Sequence, residues 1–431
     1  MRALHVWPQF GPRLTNGSDY YAYQLSKKLV EQGVTVDVFA TRTAGFRPLA
    51  RFALHWLNNQ QPALEQVAGM SIHRFPVTYV PPQAVAYLFS SWVNQRWQSE
   101  EHSVGPRLTT STQPETGYHQ RALARPRIYD WLFLLGLGPW SWPLWRRLER
   151  DLNRYDVVMV GFVPFALVWQ VLTLARRHRK PVVLLPLFHP DDLFHHHRIF
   201  YECFSQAQAI LAQTTYSVEH FKQLAPMSNP VLIGAGVEAE AFSAPGISGD
   251  RFRVKYGLEH KRLLLTVGRK EPGKRYDLAV AAVNALADEQ IKLVLIGEDI
   301  DHRPIDSPYV VYLGKIPQSD LIDAYEASDV LLFPSEHESF GIVVLEAWMR
   351  RKPVLCNVHC RPVATLVTHG QDGFACDGLD DFVFYLRQLL DNPDLARTLG
   401  ERGYRKTVEN YTWAMIGQKV AALYRQFAQT N

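Results

Sequence analysis

Cysteine is scarce in this 431-residue chain, which has only Cys203, Cys356, Cys360 and Cys376. So few thiols in so long a chain make no disulfide framework, and they point to a reducing, cytoplasmic compartment. Long apolar runs are missing too. The richest stretch, WLFLLGLGPWSWPLW from Trp131 to Trp145, is shorter than the roughly 20 residues a bilayer crossing needs. Two prolines and two glycines interrupt it, so no transmembrane helix is expected. The opening MRALHVWPQF has no long apolar segment behind its arginine and reads as a first strand, not a signal peptide. The formal net charge is only +4, which favours neither wholesale nucleic-acid binding nor an acidic tail. A nicotinamide dehydrogenase would need a GxGxxG turn after a strand, and none is present.

What is present is ample core material, with 47% hydrophobic and 20% charged residues. The length exceeds what one core usually organises, so two domains are expected. Ala3 to Val6 is a short apolar strand, a helical pattern starts at Ser18, and Val34 to Ala40 returns as a strand. The alternation resumes at Asp156 to Gly161 and continues through Pro181 to Phe188 to a strand near Ala209. The region from about 45 to 150 is irregular, with a loop-like run from Ser103 to Pro126. A Pro- and Gly-containing passage from Pro226 to Pro245 reads as a connection between domains. Beyond it the pattern repeats: strands at Leu263 to Val267, Ile291 to Ile296, Val310 to Leu313, Val330 to Phe333 and Val354 to Cys356, with helices between. Such alternation predicts an α/β protein with two doubly wound, Rossmann-like domains, 1–228 and 229–410. They would face each other across a cleft, where ligands of such folds bind.

Residues 335 to 347 read SEHESFGIVVLEA. A carboxylate inside an apolar run, as Glu346 is, must reach water or find a compensating partner. Ser339 suits an N-cap, with a helix of about ten residues behind it, stopped by Pro353. The free amides of Phe340, Gly341 and Ile342 would then form an anion site that suits phosphate. Glu338 and Glu346 would flank that anion, about 10 Å apart at the 1.5 Å rise of a helix. Both would accept hydrogen bonds from the diols of a nucleotide sugar. Taken alone, the pair also fits a solvated loop acid and a helix-edge acid.

At this point the sequence resembles the retaining glycosyltransferases of family 4, which have the GT-B fold. The resemblance rests on SDVLLFPSEHESFGIVVLEA, Ser328 to Ala347, with its two glutamates eight positions apart and an aromatic-glycine pair between them, and on the preceding VVYLGKIPQSDLIDAYEA. It implies that Glu346 binds the donor ribose and that Glu338 binds the transferred sugar. Ser339, Phe340, Gly341 and Ile342 would hold the diphosphate and sugar, and Lys315 and Ile316 would lie beside the base. The stretch VGRKEPGKRYDLAVAA, containing Gly268, resembles the family's second donor motif, whose arginine and lysine contact the diphosphate. Those roles pass to Arg269 and Lys274, two cations that would neutralise the departing diphosphate in place of a metal. The same residues also fit a basic surface turn. In the first domain, Gly17 sits where the family keeps a glycine loop against the phosphates, although a plain helix-start turn fits as well. His189 follows the strand PVVLLPLF, where the family commonly has a histidine near the acceptor; a structural histidine is the alternative. Gly236, Val237 and Glu238 look like the family's interdomain step. The final ENYTWAMIGQKVAALYRQF resembles its last helix, 411–431, which packs back onto the first domain through Trp413, Ile416, Val420 and Leu423.

The expected activity is thus a metal-independent, retaining transfer of a sugar from a nucleoside diphosphate sugar to a hydroxyl of a glycan, lipid-linked or small-molecule acceptor. No cofactor is expected. The rivals are a catalytically degenerate sugar-nucleotide-binding protein and a GT-B phosphorylase or epimerase. Departures from the family are Arg351, where it usually has glycine, and Asn357 to Pro362 in place of a glycine-rich turn. Asp299 and Asp301 spell a DxD that reads as a loop after a strand and not as a metal site. His195, His196 and His197 with Asp191 and Asp192, and Cys356, His359 and Cys360, lack a complete ligand set at familiar spacing. Trp92, Trp97, Trp131, Trp140, Trp142 and Trp145, near Arg146, Arg147 and Arg150, form either core or a peripheral surface for the inner face of a membrane.

Overall fold

A computed structural model describes residues 1–12, 17–43, 61–78, 114–190 and 193–429. The chain divides into two compact units: Met1–Ala212, Ser217–Ile233 and Gly417–Asn431 form one, and Gln213–Tyr216 with Gly234–Ile416 forms the other.

The first unit is built on β1 (Arg2–Trp7), β2 (Thr35–Thr41), β3 (Leu64–Val67), β4 (Met70–Phe75), β5 (Val157–Val160), β6 (Val182–Leu184), β7 (Ala209–Ala212) and β8 (Pro230–Leu232). Their order is β3-β4-β2-β1-β5-β6-β7-β8. All pairings are parallel except β3 with β4. Central strands such as β5, VVMV, are buried on both faces, which is why they read as unbroken apolar runs.

The irregular stretch contains more order than its sequence suggests. The strands β3 and β4 and the helices Pro114–Ala124, Arg127–Leu137 and Trp142–Asp151 lie within it. The loop-like expectation for Ser103 to Pro126 is therefore wrong from Pro114 to Ala124. Proline is compatible with a helix's first turn, and the buried Ala122 supplies the contact that periodicity could not reveal. Gly138 and Pro139 separate the two helices that follow. Trp140 and Trp145 pack against the core, whereas Trp131 and Trp142 are exposed. Trp92 and Trp97 lie outside the described residues.

The second unit is a six-stranded, fully parallel sheet of β9 (Arg262–Val267), β10 (Ile291–Ile296), β11 (Val310–Gly314), β12 (Val330–Phe333), β13 (Val354–Asn357) and β14 (Gly373–Cys376). The order is β11-β10-β9-β12-β13-β14. Counted from β9 this is 3-2-1-4-5-6, the doubly wound order that binds ligands outside the carboxyl ends of the strands where the winding reverses. That point lies between β9 and β12. Its core joins Leu264, Leu293, Leu332 and Leu355 from the strands to Leu278, Val283, Phe382 and Leu386 from the helices.

The last helix, Trp413–Gln429, buries Trp413, Ile416 and Val420 as its pattern predicts, but Tyr424 and Phe427 are buried where Leu423 is only partly so. Tyr424 Oη lies 3.0 Å from His5 Nε2, and His5 Nδ1 lies 2.7 Å from Ser26 Oγ, so a polar chain crosses the first unit's core. In the second unit Val237 pairs with Thr412, and a Cβ on Gly236 would sit 2.4 Å from the Trp413 ring.

Candidate functional site

The loop after β12 and the helix Ile342–Met349 carry both glutamates. Ser339 is not the N-cap. Gly341 holds that position in the left-handed region, φ 91°, and the helix starts one residue later. A Cβ at Gly341 would stand 2.9 Å from Val363 Cγ2, so close packing and backbone angle both require glycine. Phe340 is buried against the Tyr411 ring, 5.8 Å between centroids, which fixes the turn ahead of the helix. The amides of the first turn have no intrahelical acceptor, so the end of the helix stays positively polarised.

Glu346 has found its partner inside the protein. Tyr325 Oη, on the helix Gln318–Ala327, donates to Glu346 Oε2 at 2.6 Å. Burial pushes the Glu346 carboxyl up to about 7, although the Tyr325 bond pulls the other way. Burial and the neighbouring carboxylate push the Tyr325 phenol up as well. Glu338, before the turn, accepts from Lys274 Nζ at 2.6 Å. An ammonium has three donors, so two remain for an incoming anion.

Lys274 ends the turn Pro272–Lys274 after β9. Gly273 O accepts from the Glu336 amide at 3.1 Å, tying the loop after β9 to the loop after β12. Arg269, at the carboxyl end of β9, is largely exposed and pairs with Glu271 at 2.9 Å. Gly268, Arg269, Lys270, Lys274, Tyr276, Tyr312, Pro334 and Ser335 are among the residues lining one recess beside the switch point, with Thr266 at its floor. Lys315 and Ile316 follow β11 at the same sheet edge, with Lys315 exposed.

Structure therefore brings Lys274 and Glu338 into contact and sets Glu346, Gly341 and Arg269 on neighbouring loop and helix ends of one sheet edge. Gly17 and His189 belong to the first unit. Gly17 is exposed and begins the helix Gly17–Glu31; His189 is exposed beyond β6, its amide donating to His195 Nδ1 at 2.8 Å.

Sequence reasoning missed Tyr325 and Lys270. Tyr325 stands 21 residues before Glu346, a separation without periodic meaning. Lys270 looked like one more basic residue beside Arg269, yet its side chain is buried. It pairs with Asp299 at 2.7 Å and with Asp301, and donates to Arg303 O at 2.8 Å. Burial opposes its charge, but the bonds to Asp299 and Asp301 raise it to about 12. The DxD carboxylates are thus spent on an internal ammonium. Among the other expected decoys, His196 engages Pro190 O at 2.7 Å and Tyr201 Oη at 2.8 Å, and His197 stacks on Phe133 at 3.7 Å. His359 pairs with Asp377 at 2.9 Å. Asp191 and Asp192 lie outside the described residues.

Residues 249–406 match the family model of glycosyl transferases group 1. The whole chain aligns at 28% identity with 96% of a D-inositol 3-phosphate glycosyltransferase of Kribbella flavida. Over 43% of its length it is 28% identical to the sulfoquinovosyl transferase SQD2 of Arabidopsis thaliana, spanning only 38% of that protein. In fold, 99% of the chain superposes on all of Anabaena HepE, crystallised with UDP, at a TM-score of 0.67 and 15% identity. The chain thus has two α/β domains of the GT-B-like kind, and residues 249–406 of the second are similar to the glycosyl transferases group 1.

Proposed function

We propose that the chain moves a sugar from a nucleoside diphosphate sugar to an acceptor hydroxyl, with retention of anomeric configuration and without a metal. One observation carries the proposal: Lys274 and Glu338, paired at 2.6 Å, stand before the open amide end at Gly341, with Glu346 one turn further on. Ionised Glu346 accepts hydrogen bonds from the ribose hydroxyls and Glu338 from those of the sugar. Arg269, Lys274 and the amides of Phe340, Gly341 and Ile342 bind the diphosphate, and Lys315 and Ile316 flank the base. His189 serves the acceptor and Gly17 the donor phosphates.

In this mechanism the bond from the anomeric carbon to the diphosphate oxygen breaks while the acceptor oxygen bonds to that carbon on the same face. The acceptor's proton passes to the departing diphosphate. Negative charge on the diphosphate is larger in the transition state than in the bound donor, so fixed cations and dipoles there accelerate the step. The experiment is a panel of UDP-, GDP- and ADP-sugars screened for thermal stabilisation of the purified chain, followed by product anomer analysis. Absence of stabilisation by every donor refutes the reading, and an inverted product refutes retention. A bound ligand at 100 times its Kd stabilises by about 2.7 kcal/mol.

A second reading concerns the acceptor. Among the described residues no helix is long and apolar enough to cross a membrane. Leu123, Ile128, Trp131 and Trp142 are nevertheless exposed along neighbouring helices, with Arg146 stacked 5.1 Å over Trp142. Aromatic and basic side chains together suit an anionic lipid surface and a lipid-linked acceptor. Failure of the chain to sediment with anionic phospholipid vesicles at low salt removes this reading.

A further inference from the structure

The buried ammonium of Lys270 stands where three loops at the carboxyl edge of the second sheet converge. Its amide donates to Glu298 O at 2.8 Å, and its carbonyl accepts from the Ile300 and Asp301 amides at 3.1 and 3.2 Å. Its side chain spends one donor on each of Asp299, Asp301 and Arg303 O. With all three protons committed, Lys270 has none left for a ligand. Tyr276 Oη donates to Asp301 Oδ2 at 2.6 Å, and the ammonium lies 5.2 Å from the Tyr276 ring and 5.9 Å from the Tyr312 ring. Tyr312 Oη in turn donates to Gly297 O at 2.8 Å. The loops are also in backbone contact: a Cβ on Gly297 would overlap Gly268 O at 1.7 Å, and the Gly297 amide donates to Gly314 O at 2.9 Å.

Arg269 immediately precedes this knot and Lys274 follows four residues later, and all three line the same recess. We infer that Lys270 is a positioning residue: clamped by Asp299 and Asp301, it fixes the loop after β9 so that Arg269 and Lys274 meet the phosphates of the donor. The inference rests on the donor-binding reading above. An internal lysine here occupies the two carboxylates of the DxD.

Positioning and plain electrostatics make opposite predictions for the aspartates. Asp299 and Asp301 are negative charges beside a recess proposed to bind an anion. If only charge mattered, Asp299→Asn and Asp301→Asn would tighten a nucleoside diphosphate. If the clamp positions the loop, both substitutions weaken it, because Arg269 and Lys274 then lose charge-assisted hydrogen bonds to the phosphates.

The experiment first finds which of UDP, GDP, ADP and CDP binds the parent protein by calorimetry. That nucleotide's Kd is then measured on D299N, on D301N and on the triple variant Lys270→Met with both asparagines, which buries no unpaired charge and covers the case of single variants that fail to fold. The corresponding nucleoside is followed by ligand-observed NMR. Expected is a diphosphate Kd raised on the order of tenfold or more, the worth of one hydrogen bond to a charged group, with the nucleoside's affinity unchanged. An unaltered or tighter diphosphate, or equal losses for nucleotide and nucleoside, overturns the positioning role while leaving donor binding intact. Binding of none of the four to the parent overturns the donor reading and this inference with it.

Discussion

Replacing Glu346 by glutamine should stabilise the protein at high pH and leave it nearly unchanged at low pH. Burial raises the carboxyl from 4.5 to about 7. Below pH 4.5 it is protonated in both folded and unfolded chains and carries no penalty. Between 4.5 and about 7 the unfolded chain releases the proton and the folded chain keeps it, so stability falls as pH rises; above 7 the loss is complete. At about 1.4 kcal/mol per pKa unit the ceiling is roughly 3 kcal/mol. The residue is partly exposed, and solvent screening brings this toward about 2 kcal/mol. Glutamine keeps an oxygen to accept from Tyr325 but never ionises. For a unit of this size each kcal/mol is worth about 2–4 °C in Tm, so E346Q should melt about 4–8 °C above the parent at pH 8.5. At pH 4.5 the two should melt together. Differential scanning fluorimetry of both proteins across this range isolates Glu346, because every other group titrates in both. A gap of constant size at all pH values, or a less stable E346Q at pH 8.5, refutes the argument that burial strains this carboxylate. The same substitution should weaken donor binding, so that stability gained accompanies function lost.

Lys274→Ala removes a cation and leaves Glu338 unpartnered; turnover with the donor identified by the panel should fall about a hundredfold or more, and near-parental kcat would refute its role. Tyr325→Phe deletes the hydrogen bond that lowers the Glu346 pKa. Donor affinity, which should rise with pH through about 7 in the parent as Glu346 ionises, should then rise at higher pH, as titrations from pH 6 to 9 would show. Gly341→Ala forces a Cβ against Val363 at a φ of 91°. It should cost on the order of 1–3 kcal/mol in urea unfolding, and an unchanged midpoint would contradict the packing described.

Much of the second unit was legible because its strands are short apolar blocks bounded by turns and its helices keep a 3.6-residue face. The span Tyr276–Leu286 and the strands Ile291–Ile296 and Val330–Phe333 form as read. The Glu338 and Glu346 spacing was legible for the same reason, since both residues belong to one loop-helix segment. β14 and the helix Pro114–Ala124 escaped notice: Gly373–Cys376 is only four residues long, and the helix has little periodic hydrophobicity. The helix cap was misplaced because serine's local preference lost to the close approach of Val363, which only glycine tolerates.

By itself the sequence determined the alternation of strands and helices, the acid pair and the cations that follow β9, because each is encoded within a few consecutive residues. Only the tertiary structure decided which partner each charge takes: Lys274 for Glu338, Tyr325 for Glu346, and Asp299 and Asp301 for Lys270. Those partners are 64, 21 and about 30 residues apart in the chain, and sheet order alone makes them neighbours. Local propensity acts over a turn or two, whereas the cost of burying a charge is settled by whichever group the fold places against it.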